Sequence, residues 1–167
     1  MARRKSPRYL VERTSKGYVI HLDREELDLV VRLLSELRGI MMSDQPSTAP
    51  LVRRLFPPAY HLADDAEAEA EYQRFMREEL VASRLESIAM VEKALSSGAT
   101  LDDGGLQGFL QSVNAIRLVL GTLLDVSEQD DPNSVPDDDP MVGEHHLYGF
   151  LSWLLESTVV ALSQQET

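Results

Sequence analysis

Apolar residues recur at helical spacing over most of the chain. Four segments show this pattern, approximately residues 24–42, 64–97, 102–124 and 143–164. In each segment apolar positions lie three or four residues apart, which is the period of one buried helix face. We therefore predict a mainly α fold, a helical bundle of about four main helices. The first helix carries a wide apolar face, so we expect it at the centre of the bundle, with homodimer formation as a second use of that face.

The second and third segments differ in regularity. Two offset apolar stripes run through residues 64–97, which predicts either a bend near residues 79–83 or two helices that meet there. The third segment has the cleanest period, and its stripe consists of Leu106, Phe109, Leu110, Val113, Ile116, Leu120 and Leu124.

The N-terminal part follows a different pattern. Two β-rich runs, Arg8–Thr14 and Tyr18–Leu22, flank a turn that contains Gly17. This arrangement predicts a small β-hairpin over residues 8–22. Asp23 follows the hairpin and stands three residues before Glu26, the spacing of a capping box at the start of a helix.

The segments between these elements define the expected domain organisation. Residues 1–7 (MARRKSP) predict a flexible basic arm, and residues 8–167 predict a single α-rich domain. Residues 127–139 (SEQDDPNSVPDDD) have no apolar period and predict an acidic loop. Residues 51–56 predict one short helical turn inside a proline-containing connection.

Composition removes several classes of function. The chain has no cysteine, which excludes disulfides, thiolate metal sites and cysteine nucleophiles. No stretch of 18 apolar residues occurs, so no membrane span is expected. The basic N-terminus is not followed by the apolar core of a signal peptide, and we therefore expect a cytoplasmic protein.

Charge is distributed unevenly along the chain. Up to Leu62 there are 11 Lys and Arg against 7 Asp and Glu, and from Ala63 there are 5 against 21, which gives the net charge of −12. An acidic body repels nucleic acid and anionic membranes and favours basic partners. The basic arm supplies candidate phosphate contacts, from which we expect at most weak binding to nucleic acid. These residues are Arg3, Arg4, Lys5 and Arg8.

Motifs of known catalytic or ligand sites are missing from the sequence. It contains neither a glycine-rich phosphate loop nor the Gly-x-Ser-x-Gly nucleophile elbow. Adjacent residues on a helix point about 100° apart, so Glu144, His145 and His146 do not converge on one metal ion unaided. Residues 137–139 lack the ligand order of an EF-hand. We therefore predict a protein that is not an enzyme and needs no metal or cofactor.

A few polar residues interrupt the apolar stripes. Arg117 follows Val113 by four residues, which places a guanidinium on the core stripe of the third helix. A buried arginine needs partners. Glu156 interrupts the apolar run of the last helix, and we predict an internal ion pair between it and Arg117, with Asn114 adding a hydrogen bond. The alternative is a polar anchor for a partner. Trp153, the single tryptophan, is predicted to pack in the core, with a binding hot spot as the alternative.

Three segments carry a resemblance to a known family. They are residues 64–72 (DDAEAEAEY), 114–122 (NAIRLVLGT) and 147–157 (LYGFLSWLLES). They are similar to an actinobacterial family of formerly unknown function that is encoded near the ClpS adaptor. The hairpin followed by an amphipathic helix also fits, so the resemblance spans nearly the whole chain.

The resemblance implies a transcriptional regulator of the oxidative-stress (AosR-like) type that acts with a sigma factor. Redox-active members are expected to sense oxidants through a cysteine pair, which this chain lacks. We therefore expect a regulatory protein that acts through protein–protein contacts, with a sigma factor or another transcription component as the partner. A role in ClpS-linked protein turnover is the alternative, followed by a small enzyme with a polar site around Arg117 and Glu156.

Overall fold

Helices form where the apolar period predicts them. The computed structural model describes residues 10–56, 66–124 and 136–164. Within these ranges the chain forms a two-stranded hairpin and five α-helices, which confirms the predicted mainly α class. The strands are β1 (Val11–Thr14) and β2 (Gly17–Ile20), and the helices are α1 (Arg24–Met41), α2 (Ala49–Leu55), α3 (Ala66–Ser97), α4 (Asp103–Leu124) and α5 (Val142–Ser163).

The central helix is α4 and not α1, contrary to the expectation from the width of the apolar face. Helix α4 packs against α1, α2, α3, α5 and β2. Its side chains Leu106, Phe109 and Val113 are completely buried. Most of the wide face of α1 packs inside the bundle, because Val30, Leu34, Leu37 and Met41 are buried and Leu27, Val31, Leu33 and Ile40 pack against the core. The homodimer contact stays a prediction.

Helix α3 is one continuous helix of 32 residues, which excludes the alternative of two helices that meet near residues 79–83. Its C-terminal half buries Ile88, Val91 and Leu95. Its N-terminal half exposes Phe75 and Met76 to 65% and 42%. The two sequence stripes are thus a stripe that packs in the core and a stripe that faces outward.

The hairpin docks onto the residues that precede α4. Strands β1 and β2 pair antiparallel, with Val11 opposite Ile20 and Thr14 opposite Gly17. Tyr18 exchanges two backbone hydrogen bonds with Leu101, at 2.8 and 2.9 Å. A hairpin alone is marginally stable in water, and this bridge together with the buried Leu10, Val11 and Tyr18 joins it to the core.

The predicted capping box is present at the start of α1. The backbone amide of Glu26 donates to Oδ1 of Asp23 at 2.8 Å. This hydrogen bond lowers the pKa of Asp23, whereas burial and the neighbouring Asp23 raise the pKa of Glu26. Elsewhere, within the ranges that the structure describes, no helix is both long and apolar enough to cross a membrane.

Three glycines separate two kinds of backbone constraint. Gly17 has a positive φ of +134°, and a Cβ there would lie 2.5 Å from the carbonyl oxygen of Leu101. Gly98 also has a positive φ, +67°, but there is open space around it. Gly39 has neither a positive φ nor a close neighbour. We predict that Gly17→Ala destabilises the protein most, by roughly 2–4 kcal/mol, and Gly98→Ala by about 1–2 kcal/mol. Gly39→Ala, in a helix interior, should stabilise it by up to about 1 kcal/mol. Urea unfolding measures all three, and equal effects at Gly17 and Gly98 would contradict the docking of the hairpin on Leu101.

The capping box predicts a specific pH dependence. A lowered pKa in the folded state means that the Asp23 carboxylate stabilises the fold above its ordinary pKa, and that this contribution is lost as the pH falls through the lower folded pKa. The raised pKa of Glu26 has the opposite effect on stability. Proteins with Asp23 and with Asp23→Asn are therefore compared in a Glu26→Gln background. Between about pH 5 and pH 2 the melting temperature should fall further in the protein that keeps Asp23 than in the Asp23→Asn variant. If the melting temperatures of the two proteins fall in parallel with pH, the proposed cap is wrong.

Candidate partner-binding site

The four residues singled out in the sequence do not meet at one site. Asn114 lines a cavity between α1, α2, α3 and α4. Arg117, one turn further along α4, lies at the contact with α5. Trp153 and Glu156 lie on the exposed side of α5. The predicted polar cluster is therefore divided among three places, and each of them has a different chemical character.

Arg117 packs on an aromatic ring. Its guanidinium carbon lies 5.6 Å from the ring centroid of Tyr148, and Nη1 donates to Oγ of Ser152 at 3.5 Å. A Cβ on Gly121 would come within 3.1 Å of Cε2 of Tyr148. The missing side chain of Gly121 thus lets the Tyr148 ring approach α4, where it meets the Arg117 cation.

The predicted Arg117–Glu156 ion pair is wrong. Glu156 is exposed, and neither residue takes part in the ion pairs formed within the described ranges. The reason is rotation about α5: Glu156 follows the fully buried Leu154 by two residues, and two residues turn a helix by about 200°. Nε of Arg117 is buried without a hydrogen-bond partner among the described residues, and the guanidinium group contacts the Tyr148 ring and Oγ of Ser152 instead of a carboxylate.

Trp153 is not a core residue, contrary to the prediction. It is 52% exposed, and Val159 and Val160 are 49% and 44% exposed on the same helix. Trp153 stands two residues after the buried Leu151, so the same rotation of about 200° turns it outward. Its side chain separates two grooves, and both of them include Glu156.

One of these grooves lies between α5 and the hairpin. It measures about 450 Å³ and is lined by residues of β1 and by Trp153, Glu156 and Val160. These three side chains are spaced i, i+3 and i+7, so they lie on one side of the helix. Arg13 forms the opposite wall, where its Nη1 donates to the carbonyl oxygen of Gln164 at 3.0 Å. We call Arg13, Trp153, Glu156 and Val160 the Trp153 surface.

The second groove begins at the first turn of α5. It is lined by His145, His146 and Gly149 and continues to Trp153. Among the residues with described positions, no group of three or more metal-ligating side chains is close enough to hold an ion. The candidate phosphate contacts of the arm, Arg3, Arg4, Lys5 and Arg8, lie outside the described residues.

Sequence reasoning missed two polar contacts between helices. Arg38 of α1 and Glu92 of α3 form a half-buried ion pair at 2.9 Å. Arg84 of α3 donates to Oε1 of Gln111 of α4 at 2.9 Å. The available signal was the one that identified Arg117: Arg84 and Glu92 occupy core-facing spacings between Val81, Ile88 and Leu95 on α3.

Comparison with known proteins places the chain in a defined group. A family model matches residues 5–162, and the family is described as a domain of unknown function (DUF2017). No curated protein and no solved structure matches the chain. The match spans the hairpin and the bundle, including the segments in which Arg117, Tyr148 and Trp153 stand.

The Arg117–Tyr148 contact predicts a measurable coupling. In a double-mutant cycle with Arg117→Met and Tyr148→Leu, we expect a favourable interaction of about 0.5–1 kcal/mol, because methionine keeps the apolar stem and loses the cation. Glu156→Gln should leave the free energy of unfolding within about 0.5 kcal/mol of the parent, since its side chain is exposed and forms no ion pair with another described residue. Coupling of Arg117 to Glu156 in place of Tyr148 would contradict this geometry. Urea unfolding provides all of the values.

Proposed function

Since the chain belongs to the DUF2017 family, whose description assigns no activity, we propose a function from the exposed side of α5. The protein is a non-enzymatic regulatory protein that binds another protein through the Trp153 surface. The observation that carries this proposal is the exposure of the single tryptophan, at 52%, beside Val160, which is 44% exposed and lines the same groove.

An exposed tryptophan between two grooves fits a binding role. Tryptophan is enriched among the few residues that supply most of the binding free energy of an interface. Val160 adds apolar area on the same side of α5, and the grooves on both sides of Trp153 give a partner's side chains places to pack. An apolar patch framed by polar residues is typical of an interaction site.

The shape and charge of the surface favour a helical partner. Trp153, Glu156 and Val160 present the i, i+3, i+7 spacing with which one helix packs against another. Glu156 is the only Asp, Glu, Lys or Arg between residues 145 and 164, and Glu12 and Arg13 of β1 line the same groove. A partner helix with an apolar stripe and a single basic residue opposite Glu156 would match this arrangement.

The resemblance noted for residues 114–122 and 147–157 supports a narrower proposal. On that ground the partner is a sigma factor or another component of the transcription machinery, and the protein is a transcriptional regulator. The acidic body, with a net charge of −12 for the chain, favours contact with a basic protein over direct binding to DNA. Participation in ClpS-linked turnover predicts a different partner for the same surface.

The test is a comparison of captured proteins between the parent and Trp153→Ala. Tagged full-length protein is used for affinity capture from its native cell, followed by quantitative mass spectrometry. We expect a sigma factor or polymerase subunits to be enriched by the parent and reduced about 30-fold by Trp153→Ala, as for loss of a hot-spot residue worth about 2 kcal/mol. Because the contact is mainly apolar, capture should persist at high salt.

Phe75→Ala is the matched control, because Phe75 is an aromatic residue on α3 that is 65% exposed. It should capture the same proteins as the parent, and circular dichroism should show that both variants are folded. Protease components captured in a Trp153-dependent way would favour the turnover role. If no protein depends on Trp153 for its capture, the proposed surface is wrong.

A further inference from the structure

A cavity of about 120 Å³ lies between α1, α2, α3 and α4, and α5 does not contribute to it. Its apolar wall is formed by Leu37, Met41, Leu55, Phe56, Ile88, Ala115 and Leu118. The described polar residues that line it all come from α3 and α4, namely Arg84, Ser87, Gln111, Ser112 and Asn114. A site that is apolar with a few convergent polar groups has the general character of a small-molecule site.

The polar side offers hydrogen-bond donors. Among the described residues that line the cavity, Arg84 is the only charged one, and its Nη1 donates a hydrogen bond to Gln111. Within the part of the chain that the structure describes, no carboxylate pairs with Arg84, since the ion pairs there are His21–Glu12 and Arg38–Glu92. The side-chain amide of Asn114 has no hydrogen-bond partner among the described residues.

These donors match a carboxylate. A guanidinium presents five N–H donors in a planar fork that suits the two oxygens of a carboxylate, and the Asn114 amide adds a neutral donor. The chain carries a net charge of −12, which disfavours multiply charged anions such as phosphates. A single negative charge is therefore the anion that this site accommodates best.

The size of the cavity limits the apolar part of the ligand. The cavity is partly open to solvent, and the Arg84–Gln111 hydrogen bond lies at its exposed edge. Its volume of about 120 Å³ is slightly smaller than that of a buried cavity of about 150 Å³ that accommodates benzene. We propose that the cavity binds a small monocarboxylic acid with one ring or a short branched chain, with its carboxylate held by Arg84 and Asn114. The site shares no residue with the Trp153 surface, so it goes beyond the proposed function and can be tested separately from it.

The test uses benzoate and phenylacetate as probes on the full-length protein. Ligand-observed NMR and thermal melts should show saturable binding and stabilisation at millimolar concentrations, with sodium chloride at the same ionic strength as the reference. Arg84→Gln should weaken binding roughly 10- to 100-fold, the range expected for loss of hydrogen bonds to a charged group. Benzyl alcohol, which keeps the ring and lacks the charge, should bind comparably weakly to the parent and to Arg84→Gln.

Two further variants separate loss of binding from loss of folding. Ala115→Leu fills the cavity from its apolar wall and should abolish binding while the protein still melts cooperatively. Arg32→Gln, at an exposed arginine of α1 outside the cavity, should bind like the parent. N-Acetylphenylalanine represents the C-terminus of a peptide and should bind more weakly than benzoate, because it exceeds the cavity.

Three results would overturn the proposal. One is the absence of saturable binding by either acid to the folded parent. Another is equal binding of benzoate and benzyl alcohol, which would make the cavity a site for apolar molecules of any charge. The third is tightest binding by N-acetylphenylalanine, which would assign the site to a peptide end.

Discussion

Burial of α4 among four other helices is the interaction on which the rest of this structure depends. Leu106, Phe109 and Val113 are completely buried along it, and the hairpin also reaches it through β2. Burying apolar side chains of this size stabilises a fold by about 1.5–3 kcal/mol each. Because the other helices are arranged around α4, its two sides have different surroundings: Asn114 lines the cavity on one side, and Arg117 contacts Tyr148 of α5 on the other.

The apolar period located the helices and most of their buried faces, but it did not fix the direction of every apolar side chain. On α4 the stripe residues Leu106, Phe109, Val113 and Ile116 are buried as predicted, and Leu110 is half-buried. On α5 the residues at the same period, Leu151, Leu154, Thr158 and Ala161, are also buried, and the prediction failed for Trp153. Residues 147–162 contain apolar side chains in nearly every direction around the helix, and a helix of this kind has no clear apolar and polar sides by which to place a single tryptophan.

Charged residues at core spacings could be identified in the sequence, although their partners could not. Arg117 was found by its position on the α4 stripe, and Arg84 and Glu92 occupy comparable positions on α3. What each one contacts depends on how two helices cross and on the rotation of the second helix. The partner of Arg117 is an aromatic ring made accessible by Gly121, and a search for an opposite charge overlooks such a contact.

The absence of cysteine limits how this protein could respond to a signal. A thiol switch is excluded, so a regulated member of this type needs a bound ligand, a partner or a modification. Asn114 and Arg117 are separated by one turn of α4 and contact the cavity and α5 respectively. A ligand in the cavity would change partner binding on α5 only if α4 has two arrangements, and if the ligand and the partner each bind one of these arrangements more tightly than the other. Such coupling is reciprocal, so the partner would then change the affinity for the ligand by the same factor.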